Sequence, residues 1–246
     1  MSYITSRDRG SFGKGGRSAT GFAVKAWLCA KRVTFASLTT VAFATAGTAG
    51  ELAVTVVDRS GHGVADVVVT VVPTESRAPV PAPSSATATM DQRNLAFVPR
   101  VLAVAVGTNV EFPNNDSVSH QVYSFSPAKK FQLPLYKGAR HPPVTFEREG
   151  LVVLGCNIHD EMAGYIYVTA APLFGTTDSA GNLHLPGVPL GEYRVTLWSP
   201  VIADSPATLV RTVQVAAREA TTSRVQLARD LRVRPEPRPR RSDWEY

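Results

Sequence analysis

From residue 51 onwards, short runs rich in Val, Tyr, Phe and Thr alternate with Gly, Pro, Asn and Asp, and helical periodicity is almost absent. This pattern is typical of an all-β sandwich. Seven strands are predicted between residues 95 and 170, in the segments LAFVP, VLAVAV, TNVEFP, HQVYSF, VTFER, LVVLGC and GYIYVTA.

Further strands are predicted on both sides of this central stretch. Before it, ELAVTVV and VADVVVTVVP flank the turn DRSGHG; after it come FGTTDSAGNLHLPGVPLGEYRVTLWSP, TLVRTVQV and TTSRVQLA. Residues 74–88 are rich in Pro, Ser and Ala, a composition that favours an extended linker. Residues 231–246 have little to bury and predict a disordered basic tail.

The N-terminal segment has the pattern of a secretory signal. Lys31 and Arg32 precede the apolar run VTFASLTTVAFATAG, which ends in small residues suited to cleavage. The alternative is an N-terminal membrane anchor, but the run is short and rich in Thr for a span. We therefore predict a signal peptide over residues 1–49, a periplasmic or otherwise exported protein, and no membrane span after cleavage.

The formal net charge of +6 is concentrated at the two ends of the chain. The first 49 residues hold seven basic residues and one acid, and the last sixteen hold five basic residues and three acids. Of the 26 basic and 20 acidic residues in total, 14 and 16 remain between positions 50 and 230, a net charge of −2. The body of the protein therefore lacks the basic surface of a nucleic-acid-binding protein.

The chain has two cysteines, and one of them, Cys29, lies within the predicted signal peptide. After cleavage Cys156 is the only thiol, so it pairs between chains, stays buried and inert, or binds a ligand. It lies in GCNIHDEM, three residues before His159 and six before Met162. The segment alone is a weak signal, because C-x-x-H also occurs in zinc sites, although a Met ligand argues against zinc. Core packing of Cys156 and Met162 is the further alternative.

The upstream segment VLAVAVGTNVEFPNNDSVSHQV strengthens the signal because it places His120 after a strand, a Gly turn and a second strand. Together the two segments resemble the plastocyanin and amicyanin family of cupredoxins, over about residues 90–170. In that family a first His follows the pattern G-x-x-V-x-F-x-N, and the C-x-x-H-x-x-M spacing matches the short amicyanin-type loop. The resemblance implies a cupredoxin Greek-key β-sandwich over residues 85–170.

The resemblance also implies one type 1 (blue) copper ion. Its planar ligands would be His120, Cys156 and His159, with Met162 on the axis; thiolate and thioether suit Cu(I), and imidazoles suit Cu(II). In this arrangement His159 and Met162 lie on a loop that follows the strand of Cys156. The sequence departs from the family at Gln121, where Asn is usual, and at Ile158, where Pro is frequent; both positions concern support of the ligands.

The two flanking groups of strands resemble parts of one carboxypeptidase-regulatory-like (transthyretin-like) sandwich. The resemblance implies a turn at Asp178 and Gly181 and a strand that begins at Gly191 and Tyr193. Residues 50–84 and 171–230 would then form a second small β-sandwich into which the cupredoxin domain is inserted. The alternative is two consecutive domains with the N-terminal hairpin packed on either one.

These features predict an exported blue-copper protein that carries single electrons between periplasmic redox partners, such as a c-type cytochrome. We expect no enzymatic activity, since His62, His141 and His184 are scattered singly, whereas multicopper enzymes need a second histidine-rich centre. The alternatives are a copper-binding carrier or sensor, and a structural envelope β-sandwich with a degenerate copper site. Proteins of this two-module kind are similar to those labelled methylamine utilisation protein, but no residue identifies an amine substrate.

Overall fold

The computed structural model describes residues 49–75, 86–138, 141–217 and 220–232. The predicted signal peptide up to residue 48, the linker residues 76–85 and the basic tail from residue 233 lie outside the described residues. Across the described ranges no helix is long and apolar enough to cross a membrane. The regular secondary structure of the described residues consists of β-strands and one short 3₁₀ helix, Pro206–Leu209, and the prediction of an all-β fold is confirmed.

The described residues form seventeen strands. In chain order they are β1 (Ala49–Val57), β2 (Val68–Pro73), β3 (Thr87–Thr89), β4 (Asp91–Arg93), β5 (Ala96–Val98), β6 (Val101–Ala105), β7 (Thr108–Glu111), β8 (Val122–Ser126), β9 (Lys129–Gln132), β10 (Val144–Phe146), β11 (Gly150–Cys156), β12 (His159–Thr169), β13 (Leu173–Thr176), β14 (Asn182–Pro189), β15 (Gly191–Trp198), β16 (Val210–Val215) and β17 (Thr221–Gln226).

One hydrophobic cluster is built from the two ends of the described chain. It draws its buried residues from positions 52–71 and 188–227. Two sheets contribute to it, one in the order β14-β1-β17 and one in the order β13-β2-β15-β16. Strand β1 pairs in parallel with β17, so that Leu52 lies opposite Thr221. Successive side chains of β1 point to opposite faces of the sheet, and Leu52, Val54 and Val56 all lie on the buried face.

A second hydrophobic cluster is built from the middle of the chain, with buried residues between positions 90 and 168. A five-stranded sheet in the order β6-β12-β11-β8-β9 and a three-stranded sheet in the order β10-β7-β3 supply its strands. Phe146, Leu154 and Ile166 are fully or almost fully buried in it. The candidate metal ligands all belong to the region that this cluster occupies.

Two Asp-x-x-Gly segments, Asp58 to Gly61 and Asp178 to Gly181, form turns by the same local mechanism, in which the Asp carboxylate accepts hydrogen bonds from backbone N–H groups that follow it. The carboxylate of Asp178 accepts hydrogen bonds from the backbone N–H groups of Ala180 and Asn182, and Gly181 adopts a φ of +78°. A Cβ at position 181 would lie 2.2 Å from the Val56 carbonyl oxygen, so only glycine fits there. The predicted turn at Asp178 and Gly181 is therefore confirmed, as is the strand that begins at Gly191.

Three strands of the central region were not predicted. Residues 87–88, placed in the linker by their composition, belong to β3, which pairs in parallel with β7. Strand β4 pairs with β5, and β9 completes a hairpin with β8. These segments are short or polar, so their own sequence carries little strand propensity. Pairing with neighbouring strands decides their conformation.

Candidate metal centre

Three side chains from two separate segments of the sequence meet at one end of the five-stranded sheet. The ligand atoms of His120, Cys156 and His159 all lie within 4.8 Å of one another. The two Nδ1 atoms are 3.1 Å apart, and Cys156 Sγ lies 3.8 Å from Nδ1 of His120 and 3.6 Å from Nδ1 of His159. Two imidazole nitrogens and one sulfur thus form a nearly regular triangle.

The size of this triangle fits a metal ion. Its three edges place one point at about 2.0 Å from all three atoms, which is close to the distance of about 2.0–2.1 Å at which imidazole nitrogen binds zinc. A thiolate binds zinc at about 2.3 Å, so the sulfur would need to withdraw by only about 0.3 Å. The described residues therefore include a group that could hold a first-row transition metal in trigonal coordination.

Cys156 is held by the end of a central strand. It is the last residue of β11, is 3% exposed, and pairs with Val122 of β8. The preceding Gly155 lies against the ring of Tyr123, and a Cβ at position 155 would come within 2.7 Å of that ring. The neighbouring strands and this close approach fix the position of the sulfur.

His159 and Met162 lie on a strand, whereas the sequence predicted a loop. Strand β12 begins at His159, and Cys156 is paired with His159 across a connection of only two residues, Asn157 and Ile158. A register shift between Gly155 and Cys156 accompanies this tight connection. The two strands therefore bring the sulfur and the His159 ring together directly, and no bend of a longer loop is needed.

His120 is the most deeply placed of the three residues, with no exposed surface. Its backbone N–H donates to the carbonyl of Tyr136 at 2.9 Å, and the Tyr136 N–H donates back to the His120 carbonyl at 2.9 Å. The ring Nε2 lies 2.9 Å from Oδ2 of Asp116. The backbone of His120 and the far edge of its ring are thus both held by defined partners.

Asp116 is a residue of the site that the sequence reasoning missed. Its carboxylate accepts hydrogen bonds from the backbone N–H groups of Leu95 at 2.7 Å and Ser117 at 2.6 Å. Burial by itself would raise the pKa of Asp116, but the hydrogen bonds from Leu95, the His120 ring and Ser117 outweigh it and lower the pKa to about 2. The only signal in the sequence is an Asp four residues before a candidate ligand, which in a loop says nothing about contact.

Met162 lies in the same hydrophobic cluster as Cys156 and is 2% exposed. It follows His159 by three residues on β12. A buried thioether in the same cluster as the thiol is compatible with the predicted axial ligand, and that role stays a prediction.

Tyr136 lies next to His120, and its hydroxyl belongs to a buried group of hydrogen-bonded polar atoms. Its hydroxyl donates to the Phe112 carbonyl at 2.6 Å and accepts a hydrogen bond from the side-chain amide of Gln92. The pKa of Tyr136 is raised to about 12, mainly by burial and to a smaller extent by the charges of Asp91 and Cys156, while the hydrogen bond from Gln92 opposes the rise. The phenol therefore stays neutral and acts as a structural hydrogen-bonding group.

The other three histidines do not join the cluster. His62 pairs with Asp58 and His184 with Glu51, both at the surface. His141 is partly buried and lies edge-on to the Tyr136 ring, with 4.3 Å between the ring centroids. Among the described residues, the group of His120, Cys156 and His159 is the only one of its kind.

No family model and no characterised protein matches the chain in sequence. In three dimensions it is similar to a purple cupredoxin from Nitrosopumilus maritimus, with 28% identity over 34% of this chain and 99% of that one, at a TM-score of 0.30. A copper-containing nitrite reductase from Thermus scotoductus SA-01 is 29% identical over 39% of this chain and 25% of that one, at 0.32. A reduced amicyanin variant is 23% identical over 41% of this chain and 98% of that one, also at 0.32. Similarities at these TM-scores do not assign the chain to a family, so its function has to be inferred from its own residues.

Proposed function

We propose that this chain is an exported type 1 copper protein that carries single electrons between redox partners and has no catalytic role of its own. The observation that carries the proposal is the triangle of two Nδ1 atoms and one Sγ, with edges of 3.1, 3.6 and 3.8 Å. Two imidazoles and one thiolate in this arrangement are the planar donors of a blue-copper site.

The chemistry of the donor set favours copper over zinc. The buried residue next in sequence that offers a further donor is Met162, and its soft thioether suits copper, whereas structural zinc takes Cys, His and carboxylate ligands. Copper, when bound, supplies a one-electron couple. The protein contributes rigidity: Cys156 ends a strand and His120 is held by the backbone of Tyr136, so little of the site has to move between the two oxidation states.

His159 is the proposed route for electrons to and from a partner. It is partly exposed, whereas His120 and Cys156 are buried. The two residues that follow it, Asp160 and Glu161, are exposed acids. We infer that they steer a positively charged redox protein, such as a basic c-type cytochrome, towards the His159 ring, because exposed charges raise encounter rates more than affinity.

We also propose that residues 85–170 form a cupredoxin domain inserted into a second sandwich made of residues 50–84 and 171–230. This is supported by the pairing of β1 with β14 and β17, and of β2 with β13 and β15, which joins the strands before the cupredoxin segment to those after it. The separate hydrophobic cluster of residues 90–168 supports it further. The signal peptide over residues 1–49 and the export of the mature protein remain part of the proposal.

The proposal is tested by adding Cu(II) to residues 50–246 and recording the visible spectrum. We expect one equivalent of copper and an intense blue band, because that absorption requires a bond between copper and thiolate. Cys156→Ser should abolish the band, since a hydroxyl is neither soft nor ionised at neutral pH. His184→Ala, a surface histidine outside the cluster, is the matched control and should leave the band unchanged.

Reversible reduction and reoxidation with the metal retained then separates electron transfer from metal transport. Release of the metal on reduction would favour a copper carrier or sensor. A colourless protein with Cu(II), or a Cys156→Ser variant that stays blue, would contradict the proposal.

A further inference from the structure

The ring of His120 has two distinct edges, and each faces a different group. Nδ1 points to Cys156 Sγ and to the His159 ring, while Nε2 lies 2.9 Å from the carboxylate of Asp116. The side chain of His120 is 0% exposed and that of Asp116 is 6% exposed. Hydrogen bonds between these groups therefore form with little competition from water.

We propose that Asp116 is a positioning residue that keeps the proton of His120 on Nε2. Nδ1 is then unprotonated, and its lone pair faces Cys156 and His159. The inference rests on the proposed metal centre and deepens it. An ionised carboxylate can only accept hydrogen bonds, so Nε2 has to be the donor. A neutral imidazole carries one N–H, and Nδ1 is then the acceptor that a metal ion requires.

Asp116 can do this because its own orientation is determined by the backbone around it. Its carboxylate accepts from the N–H groups of Leu95 and Ser117, and its own N–H donates to the side-chain oxygen of Asn114 at 2.9 Å. Asn114 in turn donates to the carbonyls of Val118 and Tyr136. The carboxylate thus links the turn between β4 and β5 to the loop that ends at His120, and it cannot rotate away without losing these bonds.

A consequence follows for His159. The two Nδ1 atoms are 3.1 Å apart, a hydrogen-bonding distance, and only one of them can carry the proton between them. If Nδ1 of His120 is unprotonated, Nδ1 of His159 donates the hydrogen bond between the two rings in the metal-free protein. His120 would then be ready to bind a metal ion through Nδ1, whereas binding through Nδ1 of His159 would require that proton to be released to solvent.

The test begins with the copper-free protein, labelled with ¹⁵N and studied by two-bond ¹H–¹⁵N correlation NMR, which distinguishes the two neutral forms of each imidazole. We expect His120 to be protonated on Nε2 and His159 on Nδ1. Because no metal is involved, this outcome is independent of whether the protein carries electrons. A His120 ring protonated on Nδ1 would overturn the inference.

The variant is Asp116→Asn, which keeps the shape of the side chain but can present an N–H₂ group to Nε2. We expect the Nδ1-protonated form of His120 to become populated and the affinity for Cu(II) to fall by about 10- to 100-fold, the usual effect of losing the partner of a ligating histidine. The matched control is Asp91→Asn, a buried carboxylate of the same region that contacts Asn115 and Arg93 instead of a ligand. Asp91→Asn should leave the His120 tautomer unchanged and the affinity within about threefold.

The outcomes separate the inference from the proposed function. A blue band and normal copper affinity in Asp116→Asn, with His120 still protonated on Nε2, would reject the role of Asp116 and leave the copper site standing. Absence of copper binding in the wild type would reject the proposed function while the NMR result on the metal-free rings still decides the tautomer. If Asp116→Asn fails to fold, the wild-type NMR spectrum still tests whether His120 carries its proton on Nε2.

Discussion

Replacing Tyr136 with Phe removes a single hydroxyl from the polar side chains that pack next to the candidate metal centre. That hydroxyl donates to the Phe112 carbonyl and accepts from the side-chain amide of Gln92, which is fully buried. Phe preserves the ring and hence its edge-on contact with His141. The change therefore removes hydrogen bonds at nearly constant shape.

The magnitude follows from the groups that lose their partner. Gln92 Nε2 keeps the Pro113 carbonyl at 3.1 Å, whereas the Phe112 carbonyl is left with only a 3.5 Å contact to that same amide. A buried polar group without its hydrogen bond costs about 1–3 kcal/mol. We expect the free energy of unfolding to fall by about 2 kcal/mol, which corresponds to roughly a 30-fold increase in the population of the opened state.

Native-state hydrogen exchange resolves where that loss occurs, because each amide reports the opening of its own region. Amides of β8 and β12 should exchange about 30-fold faster in Tyr136→Phe than in the wild type. Tyr193→Phe is the matched control: its hydroxyl donates one hydrogen bond to the Pro189 carbonyl at 2.8 Å, in the other hydrophobic cluster. We expect a smaller loss there, about 1 kcal/mol, confined to β1, β2 and β15.

The visible spectrum of the copper-loaded Tyr136→Phe protein should be unchanged, because the backbone bonds between His120 and Tyr136 do not involve the hydroxyl. Unchanged exchange in β8 and β12, or the same acceleration in both clusters, would refute the reasoning that the Phe112 carbonyl depends on this donor.

Three further predictions concern the ligand set, the partner and the pH. Met162→Gln should keep the blue colour but lower the reduction potential, because an oxygen donor favours Cu(II) over Cu(I); an unchanged potential would mean that Met162 is not axial. Asp160→Lys/Glu161→Lys should slow electron transfer to a basic cytochrome and flatten its dependence on salt, which screens charges over about 10 Å at 0.1 M; equal rates for wild type and variant at low salt would reject steering. The pKa of Asp91 lies below its ordinary value of 3.8, since burial, which raises it, is outweighed by hydrogen bonds from Asn115, Gln92 and Arg93. The stability from Asp91 is therefore present above pH 3.8 and lost as the pH falls further, so Asp91→Asn should show a shallower loss of stability below about pH 4 in acid titrations of unfolding, and an unchanged slope would contradict this.

The class of fold, most strand positions and the residue types of the candidate site follow from local patterns in the amino-acid order. The turn at Asp178 and Gly181 shows why, because the carboxylate and the N–H groups that it accepts from lie within four residues. The close spacing of Cys156 and His159 is likewise local, since two adjacent strands joined by two residues have to bring them together. Interactions between residues that are only a few positions apart depend on the local sequence, so a local sequence pattern can predict them.

The groups that surround the candidate ligands depend instead on contacts between segments that are distant in the chain. His120 and His159 are 39 residues apart, and they meet because β8 and β12 both pair with β11. The contact of Asp116 with Leu95 spans 21 residues and depends on how the turn between β4 and β5 lies over the loop that ends at His120. Strand β3 has too few apolar residues to be predicted and exists through its pairing with β7. Each of these contacts joins segments that are distant in the chain, and the arrangement of all the strands determines how close the segments lie in space. A local sequence pattern therefore cannot predict these contacts.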